Sequence, residues 1–302
     1  MDPAGTIAGV ADPQDVNAAT VARLIAGQFP QWADEPVRPV GKPGVDNSTY
    51  RLGDDKMVRL PRFERWIGQV TREQRWLPVL APHLPLPVPT PLAQGEPAEG
   101  FPYPWSVYGW LPGEPADVAE LTDLRQVAVD VAEFLLVLQG IDATDGPPPE
   151  SSNGFRGCDL ADERDSPVVR SYLAHRIGQL DGILDTAPIH ELWDHTLATP
   201  VWPDEPVWVH GDPYPTNLLA RDGRLSAVID FGTVAVGDPA VDMIAAWSLL
   251  DAGSRKVFRD KLNVDDDTWT RGRCWGLSAV LPAPDNVTDE SVDALNAVLW
   301  DR

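Results

Sequence analysis

Cysteine is scarce: Cys158 and Cys274 are the two in 302 residues. Neither sits in a spacing that makes a disulfide framework or a metal motif. Long apolar runs are missing as well. No stretch reaches the roughly eighteen apolar residues of a membrane-spanning helix, so no such span is expected. The opening residues, MDPAGTIAGVADPQDV, have neither a basic start nor a signal-type apolar run, and the expected location is the cytoplasm. Positive charge is the third shortage. Lys and Arg number 24 against 46 Asp and Glu, for a net charge of −22. A surface of that sign repels nucleic acid and anionic membrane, so neither is an expected partner. It attracts cations. Two readings of the charge stay open: solubility, or a match to a polycationic substrate.

What is present is ordinary in bulk, with 43% apolar and 23% charged residues. The length suits two lobes or one large domain. Residues 15–28 place Val16, Val21, Leu24 and Ile25 near one helical face. Residues 36–62 read as a twisted hairpin sheet, with turns at 41–44 and 53–55. A helix is expected over 66–77, ended by Pro78. Prolines at 82, 85, 87, 89 and 91 predict an extended connector over 81–104. Residues 105–111, WSVYGWL, form a short buried strand that Pro112-Gly113-Glu114 breaks.

Beyond that break the pattern turns helical. Residues 121–139 carry an apolar stripe of Leu124, Val127, Ala128, Val131, Leu135 and Leu138. Residues 140–155 are a Gly/Pro/Ser-rich loop, and 165–184 and 189–197 read as helices. Strands are expected at 207–209, 218–220 and 225–229, and helices from Pro239 nearly to the end. There is no internal repeat. The outline is a mostly β first third, a bridging strand and a mostly helical remainder around a small hairpin. The expected boundary divides residues 1–111 from 112–302, with a hinge about 108–113.

The chemistry concentrates in WVHGDPYPTNLLARDGRLSAVIDFG, residues 208–232. Asp212 follows a strand, and Pro213 keeps it out of the helical region. Asn217 lies five residues on and opens the next strand. Arg221-Asp222-Gly223 turns the hairpin, and Asp230 ends the returning strand on the same edge as Asn217. Three oxygen-bearing side chains thus converge. Magnesium takes hard oxygen ligands, few from protein and the rest from phosphate and water. Phosphoryl transfer also uses a carboxylate to receive the acceptor hydroxyl's proton. Asp238-Pro239 reads as an N-cap followed by a first-turn proline, starting a helix over 239–250.

His210-Gly211-Asp212, Asn217, Ile229-Asp230-Phe231-Gly232 and the later Gly237–Met243 stretch, GDPAVDM, resemble the aminoglycoside phosphotransferases and related small-molecule kinases. The resemblance spans most of the chain. It implies a bilobal, protein-kinase-like α+β fold, with a small, mostly antiparallel β N-lobe for nucleotide and a larger, mainly helical C-lobe for catalysis and acceptor. It makes Asp212 the catalytic base and Asn217 and Asp230 the magnesium ligands. His210, Asp238 and Asp242 are structural supports, with Asp242 bracing the catalytic-loop backbone. In the N-lobe it points to the loop 41–48, including Asn47 and Ser48, for the phosphates, although that loop lacks the strict glycine pattern of protein kinases. The usual third-strand lysine is replaced by Arg59, a departure, because a planar fork is not a point charge. Lys56 competes for that role, but is expected in solvent at the turn. Glu73 would orient Arg59. The Gly109 carbonyl and the Leu111 N–H would hold the adenine edge, with Tyr108 at the back of the pocket.

The implied reaction is magnesium-dependent transfer from ATP or GTP to a hydroxyl of a small, cationic acceptor, foremost an aminoglycoside-type antibiotic. Three alternatives stand beside it: a metabolic kinase of an amino alcohol, amino acid or sugar, a macrolide kinase, and a nucleotide-binding protein with little catalysis. The acceptor pocket is expected from residues 121–197 and the C-terminal helices. Asp159, Asp162, Glu163 and Asp165 are candidate acidic liners, although acidic loops are more often solvated surface.

Overall fold

The computed structural model describes residues 16–41, 46–162 and 167–301. The chain divides into two compact units: residues up to Pro82 with Pro87–Pro112, and His83–Leu86 with the chain from Gly113 onward.

In the first unit, helix α1 (Ala18–Gln28) is capped by Asn17, whose side chain accepts the Thr20 N–H at 3.0 Å. Its Val21, Leu24 and Ile25 are buried, the spacing of one helical face. Strands β1 (Val37–Pro39), β2 (Asn47–Leu52) and β3 (Lys56–Pro61), helix α2 (Ile67–Leu80), and strands β4 (Pro91–Gly95) and β5 (Trp105–Gly109) follow. The sheet is antiparallel, in the order β1-β2-β3-β5-β4. Residues Trp105 to Tyr108 of β5 are all buried, because each sheet face has a cover. Trp105 and Val107 join Leu24, Ile25, Leu52, Val58 and Leu60 in the core beside α1. Ser106 and Tyr108 point to the opposite face and meet Gln74 and Glu73 of α2.

Three expectations change here. The proline-rich connector contains β4, an edge strand whose proline falls at its first residue, where no ladder bond is lost. Helix α2 does not stop at Pro78 but runs on to Leu80. Pro78 lies in the last turn, so one missing N–H is offset by the complete burial of Leu77 and Leu80. Lys56 is not in solvent: it is 8% exposed, its ammonium 2.9 Å from Glu35 and paired also with Asp55. The turn residues 42–45 lie outside the described residues.

The second unit begins with β6 (Glu114–Pro115) and α3 (Leu124–Gln139), the latter capped by Asp123 on the Arg125 and Gln126 N–H groups. Helices α4 (Pro167–Gly178) and α5 (Ala187–Ala198) precede the strands β7 (Val207–Val209), β8 (Leu218–Arg221), β9 (Arg224–Val228) and β10 (Ala235–Gly237). Helices α6 (Ile244–Ser248), α7 (Ala252–Leu262), α8 (Asp266–Val280) and α9 (Asp289–Leu299) complete it. Helix α3 buries Val127, Val131, Phe134, Leu135 and Leu138 and packs on α7, which answers with Phe258 and Leu262. Each such side chain contributes about 1.5–3 kcal/mol relative to exposure.

Two small antiparallel sheets frame the motif segment: β6-β8-β9, and β7 with β10. Strands β6 and β10 are too short to show a period in the sequence. The expected helix over 239–250 is a 3-10 turn, Pro239–Met243, followed by α6. The one expected over 165–184 ends at Gly178, its first two residues lying outside the described residues.

Candidate active site

The motif segment is held by short backbone bonds. Val209 of β7 pairs with Ala235, and the loop that follows turns at Gly211, with φ +82°. A Cβ at Gly211 would lie 2.9 Å from the Arg156 Cβ and 2.9 Å from the Thr233 carbonyl oxygen, so glycine is required there. The Tyr214 N–H bonds the Asp212 carbonyl at 2.8 Å, and the Ile229 N–H bonds the Asn217 carbonyl at 2.8 Å. The second bond ties the start of β8 to the residue before Asp230. Asp230 itself is left-handed, φ 66°, a conformation a non-glycine residue adopts only when its surroundings impose it.

Asp212 and Asn217 meet directly. The Asn217 amide donates to the Asp212 carbonyl at 2.9 Å and to the Asp212 Oδ2 at 3.0 Å. Two acceptors on one side fix the amide's orientation, and its Oδ1 accepts nothing among the described residues. Asp212 Oδ1 takes a charge-assisted bond from Arg156, 2.9 Å away. Burial raises the Asp212 carboxyl above its usual range, Arg156 and Asn217 pull it down, and the nearby Asp230 charge pushes it up.

Asp242 is fully buried and accepts two backbone donors, the His210 N–H at 3.0 Å and the Gly211 N–H at 2.7 Å. Burial still pushes its carboxyl up to about 7 against those bonds. His210, also fully buried, is lowered by burial to about 4 and is a neutral imidazole. Its Nδ1 accepts the Asp212 N–H at 3.2 Å, so Nε2 carries the proton and donates to the Ile229 carbonyl at 3.1 Å. The ring packs on Phe231, centroids 4.8 Å apart. Asp238 caps the Ala240 N–H at 3.0 Å and pairs with Arg271, 2.6 Å away.

In the first unit, Arg59 Nη1 lies 2.9 Å from Glu73 Oε1. The Tyr108 hydroxyl donates to Glu73 Oε2 at 2.5 Å. Glu73 is 2% exposed, which removes the alternative that it is a solvated helix charge. Burial first, and the Glu73 charge next, hold the Tyr108 phenol well above its ordinary range. Asn47 and Ser48 differ from expectation. They begin β2, paired with Pro61 and Leu60, and do not stand in a loop. Both are buried, and the Asn47 amide donates to Gln69 at 3.1 Å. Gly109 ends β5, its N–H on the Thr90 carbonyl at 2.9 Å, while the Leu111 N–H has no partner among the described residues.

Residues 37–275 match the phosphotransferase enzyme family, APH. The chain belongs to that family. No curated protein matches it. Solved structures similar to this APH chain include the GDP complex of wild-type aminoglycoside 2'-phosphotransferase-IIIa, at 17% identity and TM-score 0.66, covering 95% of this chain and 98% of that one. Another is the macrolide 2'-phosphotransferase MphH from Brachybacterium faecium, at 23% identity and TM-score 0.59, covering 93% and 98%. An ADP-bound aminoglycoside phosphotransferase APH(2'')-Ib matches at 18% identity and TM-score 0.59, covering 95% and 98%. At these identities the likeness shows the fold: an antiparallel five-stranded sheet and then a mainly helical region, protein-kinase-like.

The donor set of this APH chain fits magnesium. Asn217 Oδ1 and the Asp230 carboxylate are hard oxygens of the kind that ion takes. Sequence reasoning missed Arg156, Arg271 and the Tyr108–Glu73 bond. Arg156 lies 56 residues before Asp212, and Arg271 lies 33 after Asp238, with nothing local to mark either. Of the candidate acidic liners, Asp159 bonds its own loop at the Ala161 N–H, and Glu163 and Asp165 lie outside the described residues.

Proposed function

We propose that this phosphotransferase moves the γ-phosphoryl group of ATP or GTP onto a hydroxyl of a small cationic acceptor, an aminoglycoside-type antibiotic, with Asn217 and Asp230 holding magnesium. One observation carries the reading: a part-buried carboxylate, Asp212, oriented by two fixed donors beside an asparagine whose oxygen accepts no bond among the described residues. The net charge of −22 supports a polycationic acceptor. Relatives of the same fold were solved with GDP, with ADP, and with streptomycin and ATP together, which supports either purine donor.

In this reading Asp212 takes the acceptor's O–H proton as the new O–P bond forms. The bond from the β–γ bridging oxygen to γ-phosphorus breaks, and the nucleoside diphosphate leaves. Bound magnesium would neutralise charge on the phosphate oxygens. Arg59, oriented by Glu73, contacts the donor phosphates. Gly109 and Leu111 serve the nucleotide through backbone polar groups, while Asn47 and Ser48, buried in β2, support the strand that follows the phosphate loop. His210, Asp238 and Asp242 hold the loop. A second reading, a macrolide acceptor, is supported by the likeness of fold to the macrolide 2'-phosphotransferase MphH.

The test is nucleotide turnover across aminoglycosides, macrolides and small amino alcohols, for the parent and Asp212→Asn. Asp212→Asn should fold, bind nucleotide with magnesium as the parent does, and lose turnover by a factor on the order of 10² or more. Parent-like turnover removes Asp212 from the mechanism. Lost nucleotide binding makes it a structural or metal-site residue.

A further inference from the structure

The loop Gly154-Phe155-Arg156-Gly157 has an unusual backbone. Gly154, Phe155 and Gly157 have φ of 66°, 56° and 77°. Two glycines adopt this freely, but Phe155 does so at a cost, which persists only where neighbours impose it. Those neighbours are identifiable. The Phe155 N–H bonds the Glu150 carbonyl at 2.8 Å, and the Asp238 N–H bonds the Gly157 carbonyl at 2.8 Å. Gly157 is also pressed against Gly237 and Asp238, where a Cβ would lie 3.3 Å from backbone atoms. The loop is therefore fastened to the segment that follows β10.

The fastening aims one side chain. The Arg156 stem lies on Gly211, the residue where any Cβ would strike it. Its guanidinium lies 5.7 Å from the Trp275 ring centre and donates to Asp212 Oδ1 at 2.9 Å. Oδ2 of the same carboxylate accepts from Asn217 at 3.0 Å. One donor on each oxygen sets both the rotamer and the plane of the carboxylate, leaving the second lone pair of each oxygen for a hydroxyl. Arg156 is also the cation whose charge reaches His210, Tyr214 and Asp242. Two acids, Asp212 and Asp242, thus lie within reach of one fixed guanidinium.

We propose that Arg156 is a positioning residue for phosphoryl transfer: its strained loop and the Trp275 ring hold a guanidinium that presets the Asp212 carboxylate before acceptor and nucleotide arrive. This rests on Asp212 being the base. Preset geometry is realised as rate and not as nucleotide affinity. An ammonium supplies the charge and one bond without the planar fork, so lysine restores part of the effect.

The experiment compares the parent, Arg156→Met, Arg156→Lys, Arg156→Ala and Asp212→Asn by nucleotide consumption, nucleotide titration and urea unfolding, with rates expressed per folded molecule. Arg156→Met should lower kcat 10- to 100-fold, on the scale of misplaced reacting groups, and leave nucleotide KM within about twofold. Arg156→Lys should recover part of kcat, and added guanidinium at millimolar concentration should partly rescue Arg156→Ala. A residue that only braces the fold would shift unfolding midpoints, with no kcat loss per folded molecule and no rescue. Parent-like kcat in Arg156→Met, while Asp212→Asn is inactive, overturns the inference and leaves the base intact. Activity in Asp212→Asn, or no nucleotide consumption by the parent, overturns the functional reading and this inference with it. Should Arg156→Met not fold, the Lys variant and the guanidinium rescue decide the matter.

Discussion

At the scale of single residues, two buried titratable groups answer pH in opposite directions. His210 is lowered from 6.5 to about 4, so the unfolded chain takes up a proton that the folded chain refuses between those values. Its contribution is complete above pH 6.5 and is lost as pH falls through about 4, by on the order of 3 kcal/mol. Asp242 is raised from 3.8 to about 7, so the folded chain keeps a proton the unfolded chain releases. Stability from Asp242 is therefore full at low pH and is lost as pH rises towards about 7. His210→Gln removes the first effect alone. Relative to the parent, that variant should gain stability as pH falls from 7 to 4, read by urea unfolding at several pH values. Asp242→Asn tests the bracing role. Asn offers one oxygen where the His210 and Gly211 N–H groups need two, and its NH2 meets a backbone donor. The expected cost is about 1–3 kcal/mol in urea unfolding, with turnover falling as the loop loosens.

At the scale of elements, the site depends on close approach between segments far apart in sequence. The loop at Gly211, the 154–157 loop and the segment after β10 interlock, with Gly211 at the tightest point. Gly211→Ala adds a methyl where φ is +82° and where Arg156 and Thr233 stand 2.9 Å away. That substitution should cost about 1–3 kcal/mol and displace Arg156, seen as a lower unfolding midpoint together with a kcat loss. In the first unit, β3, α2 and β5 build the Arg59–Glu73–Tyr108 chain in the same way. Alternation along β3 turns Val58 and Leu60 to the α1 face and Arg59 to the α2 face, where Glu73 waits. The Arg59–Glu73 pair was anticipated from the resemblance to small-molecule kinases, and strand alternation realises it. The Tyr108 bond was not, because a continuously buried strand does not announce which of its faces meets which helix.

At the scale of the whole molecule, charge is the property that matters. A net charge of −22 concentrates cations near the surface, and salt screens that attraction over about 10 Å at 0.1 M. If the acceptor is a polycation, raising salt from about 50 to 500 mM should raise its KM severalfold. The KM for the anionic nucleotide should stay level or fall. Steady-state kinetics at fixed pH measures both, and a salt-insensitive acceptor KM would turn the assignment towards a weakly charged acceptor.

Sequence by itself determined what is local. Asp212, Asn217 and Asp230 lie within one strand–loop–hairpin, so chain connectivity, Pro213 and a Gly turn suffice to gather them. The same holds for the Asp238 cap, which needs only the N–H of Ala240, two residues on. Tertiary structure decided what spans long separations. Arg156 reaches Asp212 across 56 residues, Tyr108 reaches Glu73 across 35, and Arg271 reaches Asp238 across 33. Lys56 sits beside a turn, yet it is buried because Glu35 and the Trp32 ring close over it. An arginine or lysine carries no local sign of its partner, since its long stem reaches whichever carboxylate packing brings near. The burial of neighbouring apolar faces, not the spacing of the charged residues, chose those partners.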